Sequence, residues 1–189
     1  MGVILQALLL DIPETVETSR LVLRATRAGH GGKTNEALEE SRAQLKPWMP
    51  WARDTQSVED SEQHCRTMQA RWHGREELDF CFFRRADGVL VGKGGLHTID
   101  WTVPKFEIGY WIRSSCVNQG FATEATLALV DLARARLAAR RLEIACDARN
   151  AASRRVAMKC GFELEGIHRR NRRDTAGELA DSCMYARVF

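Results

Sequence analysis

The spacing of apolar positions changes from strand-like to helix-like several times along the chain. Residues 20–26 alternate, with Leu21, Leu23 and Ala25 set against Val22 and Arg24, the pattern of a half-buried strand. A Gly-rich stretch at residues 28–33 breaks it, and residues 34–45 then place Ala37, Leu38, Ser41 and Leu45 on one side of a helix that Pro47 ends. Ser57 has the character of an N-cap, with Glu59 and Asp60 in the first turn. The helix it opens runs to about Gly74 and buries Cys65, Met68 and Trp72. Between these helices, the apolar corner Trp48-Met49-Pro50-Trp51 is expected to plug the core, with lining of a substrate groove as the alternative.

Strands follow. Residues 79–85 form one, Ala86-Asp87-Gly88 a hairpin turn, and residues 89–99 the return strand, where Gly92, Gly94 and Gly95 mark a bulge or bend. After a turn at residues 100–104, residues 105–113 put Phe106, Ile108, Tyr110 and Ile112 on one face and Glu107, Gly109 and Trp111 on the other. The second half alternates: a helix over 121–138 with Ala125, Leu129, Leu132 and Ala133 buried, a strand over 141–146, and a short helix over 150–160 closed by Gly161. Strands at 162–166 and 181–189 complete it. A meander followed by a β-α-β-α-β run predicts an α/β (α+β) fold, a single mixed, mostly antiparallel sheet with helices on both faces. The expected organisation is a loosely ordered leader over residues 1–18 and a single domain over 19–189.

Composition narrows the function classes. With 189 residues, 44% hydrophobic and 28% charged, the chain has enough material for a real core. Its formal net charge of +3 is too small to argue for direct nucleic-acid binding. Six cysteines lie scattered without a Cys-x-x-Cys, which suits buried thiols in a reducing compartment better than disulfides or a zinc site, so no metal is expected. Leu5–Leu10 is too short, and too poor in flanking signals, for a signal peptide or membrane span, so a cytoplasmic protein is expected.

The stretch Val117-Asn118-Gln119-Gly120-Phe121-Ala122-Thr123-Glu124-Ala125 joins a strand to a helix. Gly120 permits a positive φ or close backbone approach, Ala122 adds little bulk, and the peptide N–H groups at a helix start favour an anion. A diphosphate cradle is the functional reading; an ordinary strand–loop–helix turn is the structural one.

Two blocks carry a resemblance. The first is Phe106-Glu-Ile-Gly-Tyr-Trp-Ile112 with Asn118-Gln-Gly-Phe-Ala-Thr-Glu-Ala125; the second is Asn150-Ala-Ala-Ser153, Lys159-Cys-Gly-Phe162 and Glu165-Gly166. Together with Ser19-Arg-Leu-Val-Leu-Arg24, residues 40–51 and Met184-Tyr-Ala-Arg187, the chain resembles the GNAT superfamily of acyl-coenzyme A-dependent N-acetyltransferases. Within that superfamily it resembles the branch containing the bacterial enzymes that acetylate the N-termini of ribosomal proteins. The resemblance implies acetyl-CoA as cosubstrate, with Val117, Asn118, Gln119, Gly120, Phe121, Ala122 and Thr123 around its diphosphate. It implies backbone pairing of Ile112 and Arg113 with the pantetheine arm, and Asn150 and Ser153 beside that arm and the thioester sulfur. Asn150 also reads as a helix N-cap.

The chain departs from the pattern at three places. Val117 stands where a basic residue or Gln is usual; Ala157 falls where many members carry a tyrosine acid; Arg172 falls where a glutamate base has been suggested. Ser153 is then the nearest proton donor for the leaving thiolate, and the candidate base is Glu107 (a structural carboxylate on the other reading), His97 or ordered water. A peptide α-amine, with a pKa of about 7.7–8.0, needs far less help than a lysine at about 10.4. A protein or peptide N-terminus, as in ribosomal-protein acetylation, is therefore the expected acceptor. The alternatives are a small-molecule amine such as an antibiotic or polyamine, or a non-catalytic acyl-CoA-binding module. A homodimer is compatible with the family likeness. The basic run His168–Arg173, with four arginines, is expected to be a solvated loop, with a phosphate, an acidic acceptor or RNA as alternative contacts.

Overall fold

A computed structural model describes residues 6–189; residues 1–5 of the expected leader lie outside the described residues. The elements run β1 (Thr15–Glu17), β2 (Leu21–Ala25), α1 (Gly31–Leu45), α2 (Val58–His73), β3 (Leu78–Arg84), β4 (Leu90–Asp100), β5 (Lys105–Ile112), α3 (Phe121–Leu137), β6 (Arg141–Asp147), α4 (Ala151–Lys159), β7 (Glu163–Arg173) and β8 (Leu179–Val188). One eight-stranded sheet has the order β1-β2-β3-β4-β5-β6-β8-β7. Every neighbouring pair is antiparallel except β5 and β6, which run parallel.

Alternation along the strands divides the core between the two faces. Phe80, Phe82, Phe106 and Ile108 pack with Ala125, Leu129 and Ala133 of α3. Cys81, Phe83, Leu90 and Trp111 pack with Ala37, Leu38 and Leu45 of α1. Each wholly buried Phe or Leu of this kind stabilises the fold by roughly 1.5–3 kcal/mol. The start of α2 is fixed by a reciprocal cap: Ser57 Oγ accepts the Asp60 N–H at 3.0 Å, and the Ser57 N–H donates to Asp60 Oδ2 at 2.9 Å.

The glycines of β4 permit both a bulge and close contact. Register slips by one residue between Phe82 and Phe83, where Phe82 faces Gly92 and Phe83 faces Leu90. At Gly95 a Cβ would lie 2.1 Å from the Leu78 carbonyl oxygen, so any side chain there would push β3 and β4 apart.

The structure corrects two expectations. The second half of the leader is docked, because Thr15–Glu17 pairs with β2 and Ile12 is buried in the core. The basic run His168–Arg173 is strand rather than loop, because it continues β7 along β8 through a register shift between His168 and Arg172. Charge along an exposed edge strand hides the alternation that would have identified it. Among the described residues, no helix is long and apolar enough to cross a membrane.

Candidate active site

The site grows from the one place where the sheet comes apart. β5 and β6 pair only over Lys105↔Arg141, Phe106↔Leu142 and Glu107↔Glu143. Beyond Glu107, β5 stays with β4, while β6 continues along β8 to Asp147. The Arg113 N–H donates to Val91 O at 2.8 Å, on the β4 side. By strand alternation, the N–H and C=O groups of Tyr110 and Ile112 point the other way, into the gap. A groove of roughly 700 Å³ fills that gap, lined by Ile112, Val117, Asn118, Gly120, Phe121, Ala122, Thr123, Asn150 and Ser153 among others.

The closed end of the groove is the start of α3. Gly120 has φ +84° and Asn118 φ +59°, and this turn brings the chain round without a side-chain cap. The Glu124 N–H to Gly120 O, at 3.0 Å, is the first helical bond, so the N–H groups of Phe121, Ala122 and Thr123 precede the helical ladder. Open N–H groups on a 17-residue helix fit an anion. Glu124 fastens this turn to the strand edge, accepting from Thr18 Oγ1 at 2.6 Å, Arg20 N at 2.9 Å and Arg20 Nε at 2.7 Å. Burial pushes its carboxyl pKa up, but these hydrogen bonds outweigh burial and hold it below the ordinary range. Arg155 and Lys159, one turn apart on α4, put cationic side chains on the same groove.

Not every predicted residue sits in the groove. Arg113 does not line it: its N–H is taken by Val91, its carbonyl accepts the Cys116 N–H, and its guanidinium reaches Glu40 and Glu36 at 2.5 and 2.7 Å. Gln119 also turns away, its amide donating to Ser115 O and its carbonyl accepting from Arg20. Asn150 is the N-cap of α4, its Oδ1 accepting the Ser153 N–H at 3.0 Å, and it lines the groove as well.

Tyr110 was not singled out from the sequence as a site residue, yet its hydroxyl lies 3.1 Å from Ser153 Oγ. Burial drives its phenol pKa well above the ordinary value, so the group stays protonated. Ala157 is wholly buried and presents nothing to the groove. Arg172 is likewise committed elsewhere, paired with the buried Asp147 that also holds Arg149.

A second cavity, roughly 570 Å³, opens on the α1–α2 side of the sheet and meets the groove at Tyr110, Trp111 and Met49. Its floor includes Gly95 and Gly109, and its wall Trp51, His64, Asp79, Lys93 and His97. The apolar corner therefore lines cavities rather than plugging the core: Trp51 is 41% exposed, and Trp48 lines the groove. His97 lies across Gly109, where a Cβ would come within 2.7 Å of His97 Nε2. Thr98, in the left-handed region at φ +49°, places its Oγ1 2.9 Å from His97 Nδ1 and 3.3 Å from Glu107 Oε2. Glu107 itself does not line the cavity. The six cysteines are all unpaired, and burial pushes the Cys81 and Cys160 thiols up to about 11. Among the described residues no group of three or more His, Cys, Asp or Glu side chains is gathered for a metal.

Comparison with known proteins agrees with this geometry. The model of the acetyltransferase (GNAT) domain matches residues 20–163. A probable N-acetyltransferase, YjcK, of Bacillus subtilis is 34% identical over 121 residues, 64% of this chain and 67% of that protein. The ribosomal-protein-serine acetyltransferase of Escherichia coli is 28% identical over 155 residues, 81% of this chain and 85% of its own length. Among solved structures, RimL, a ribosomal L7/L12 α-N-protein acetyltransferase in complex with coenzyme A, superposes with a TM-score of 0.87 at 25% identity, covering 93% of this chain and 98% of that one. The open strand edge, the uncapped helix start and the matched domain lead to one assignment: the chain belongs to the GNAT acetyltransferase family and is an acetyl-CoA-dependent N-acetyltransferase.

Proposed function

We propose that the protein acetylates the N-terminal α-amine of a protein or peptide, a ribosomal protein by likeness to its relatives, by direct attack in a ternary complex. The observation that carries this reading is the junction of the two cavities at Tyr110–Trp111. One cavity has the open strand edge and helix start that suit the cosubstrate. The other reaches the same peptide units from the opposite side of the sheet, as direct transfer requires.

Acetyl-CoA supplies a thioester whose carbonyl carbon takes the amine and whose sulfur leaves. The residues of the chain manage charge and protons around that exchange. Ile112 N–H, on the open edge of β5, is placed to stabilise the carbonyl oxygen as charge builds on it. Thr98 Oγ1 donates to Glu107, so His97 Nδ1 donates to Thr98 and Nε2 is left as an acceptor over Gly109. His97 is thus the base that removes the amine proton, and Glu107 positions it through Thr98. Ser153 passes a proton to the leaving sulfur as it takes one from the Tyr110 hydroxyl, and the Tyr110 oxygen, a strong base when bare, is at once reprotonated from water in the open groove. Val117, Asn118, Gly120, Phe121, Ala122 and Thr123 hold the diphosphate; Asn150 Nδ2 is free to meet the pantetheine arm.

The test is an acceptor panel. Thiol release from acetyl-CoA is measured with Ser- and Ala-starting peptides, aminoglycosides and spermidine. Turnover of peptides with little of the others is expected; turnover confined to the small amines would reverse the assignment.

A further inference from the structure

The acceptor cavity contains a buried charge pair that the transfer chemistry does not use. Lys93 sits on β4 in the middle of the sheet, between Cys81 and Trp111 in register, and is only 3% exposed. Its ammonium lies 3.0 Å from Asp79 Oδ2, close enough for an ion pair. Beyond this contact, neither Lys93 Nζ nor Asp79 Oδ2 hydrogen-bonds to any other group. Both residues line the cavity, beside a floor where Gly95 and Gly109 contribute no side chain. His64 stands over the same space. Its imidazole is held below its ordinary pKa by desolvation and by the Lys93 charge.

A buried pair of this kind contributes little to stability, since well-packed apolar residues commonly do as well or better. Its cost falls only when the remaining donors and lone pairs are met. Both residues stand in the wall of the chamber that receives the acceptor. The group that completes them must accept from Lys93 and donate to Asp79, two atoms 3.0 Å apart, from one side. A trans peptide unit points its N–H and C=O in opposite directions and cannot do this. A carboxylate has no proton to give to Asp79, an ammonium has no lone pair for Lys93, and a methyl group leaves both unmet.

We propose that Lys93 and Asp79 together recognise the acceptor, by bridging to a hydroxyl or primary carboxamide carried close to the attacking amine. This rests on the reading that the cavity receives an N-terminal amine. It predicts that a first residue such as Ser or Asn is selected over Ala and Asp.

The experiment compares kcat/KM for peptides that differ only in a first residue of Ser, Asn, Ala or Asp. The native protein is set against the double variant Lys93→Met/Asp79→Leu, which removes both charges and leaves neither unpaired. Melting temperature and acetyl-CoA affinity are followed for both. The native enzyme is expected to favour Ser or Asn over Ala by about 100-fold or more, since a pocket built to hydrogen-bond a substrate rejects an analogue lacking the group. The double variant is expected to bind acetyl-CoA normally and to bring that ratio within about threefold. Lys93→Gln is the second variant should the double variant melt early, with an expected fall in the ratio of about tenfold or more. Native rates for Ser, Asn and Ala within threefold of one another would overturn the inference while leaving peptide acetylation standing. A folded variant that kept the native preference would overturn it equally. Failure of every peptide despite acetyl-CoA binding would overturn the inference and the peptide reading together.

Discussion

The hydroxyl of Tyr110 and Oγ of Ser153 lie 3.1 Å apart across the gap between β5 and α4, joining the two halves of the sheet at the point of chemistry. On the proposed mechanism the link supplies the proton donor that Ala157 does not provide. If the two hydroxyls act as one relay, their losses are not additive. Tyr110→Phe and Ser153→Ala are each expected to lower kcat on the order of 10²-fold, with the double variant no worse than the weaker single one. Acetyl-CoA affinity, read by calorimetry, is expected to stay within about threefold, because the phosphates are held elsewhere.

On the proposed mechanism the His97–Thr98–Glu107 chain separates a base from the group that orients it. His97→Gln is expected to cost on the order of 10²-fold in kcat/KM, and Glu107→Gln on the order of tenfold or less. With the native enzyme, kcat/KM is expected to rise with pH through the α-amine pKa of about 7.7–8.0. Tyr110 brings no descending limb in the working range, since burial keeps its proton on. Equal losses from the two substitutions would shift the base role back to Glu107.

Glu124 ties the cradle to residues 18–20, and its folded pKa is depressed. A depressed carboxylate contributes stability that is present above its unfolded pKa and is lost as pH falls through the folded one. Glu124→Gln is therefore expected to destabilise the protein by about 1–2 kcal/mol at pH 7, with hydrogen bonds to a charge as the source. Denaturation at pH 7 and at a pH below the ordinary carboxylate range should show the gap closing in acid. A gap constant with pH would mean that the carboxylate's charge is not what holds the turn.

Ala122 tests the cradle from the rim of the core. It is half-buried, lines the groove and lies in the first turn of α3. Ala122→Glu would set a carboxylate against the diphosphate, and the expected rise in the acetyl-CoA Kd is tenfold or more, about 1.4 kcal/mol. Melting temperature should hold steady, because an acidic residue suits a helix start. Unchanged affinity would remove the phosphates from this place.

Much of the scaffold was legible because its signals are local. Helix periodicity, the Ser57 cap, the Gly-broken β4 and the alternation along β5 each report on one element. Val117–Thr123 stood out for the same reason: positive φ and low bulk are properties of a short stretch. What escaped depends on distance in sequence. Tyr110 and Ser153 are 43 positions apart, and their meeting depends on how far β5 and β6 diverge. Asp79 and Lys93 looked like ordinary strand polar residues until the fold buried them together. Trp48 and Trp51 carry no signal that distinguishes a filled core from the wall of an opening. Arg113 misled for the opposite reason, because a motif fixes a position but not which way its N–H points.

The three register pairs between β5 and β6 leave most of β5 with a bare edge on that side. A substrate arm lying there stands in for the absent rungs of the ladder. Each catalytic cycle then removes and replaces part of the fold's own scaffolding, so the free protein should breathe at this seam and the loaded one should be mended. Amide hydrogen exchange along β6 and the second half of β5 would trace that repair directly.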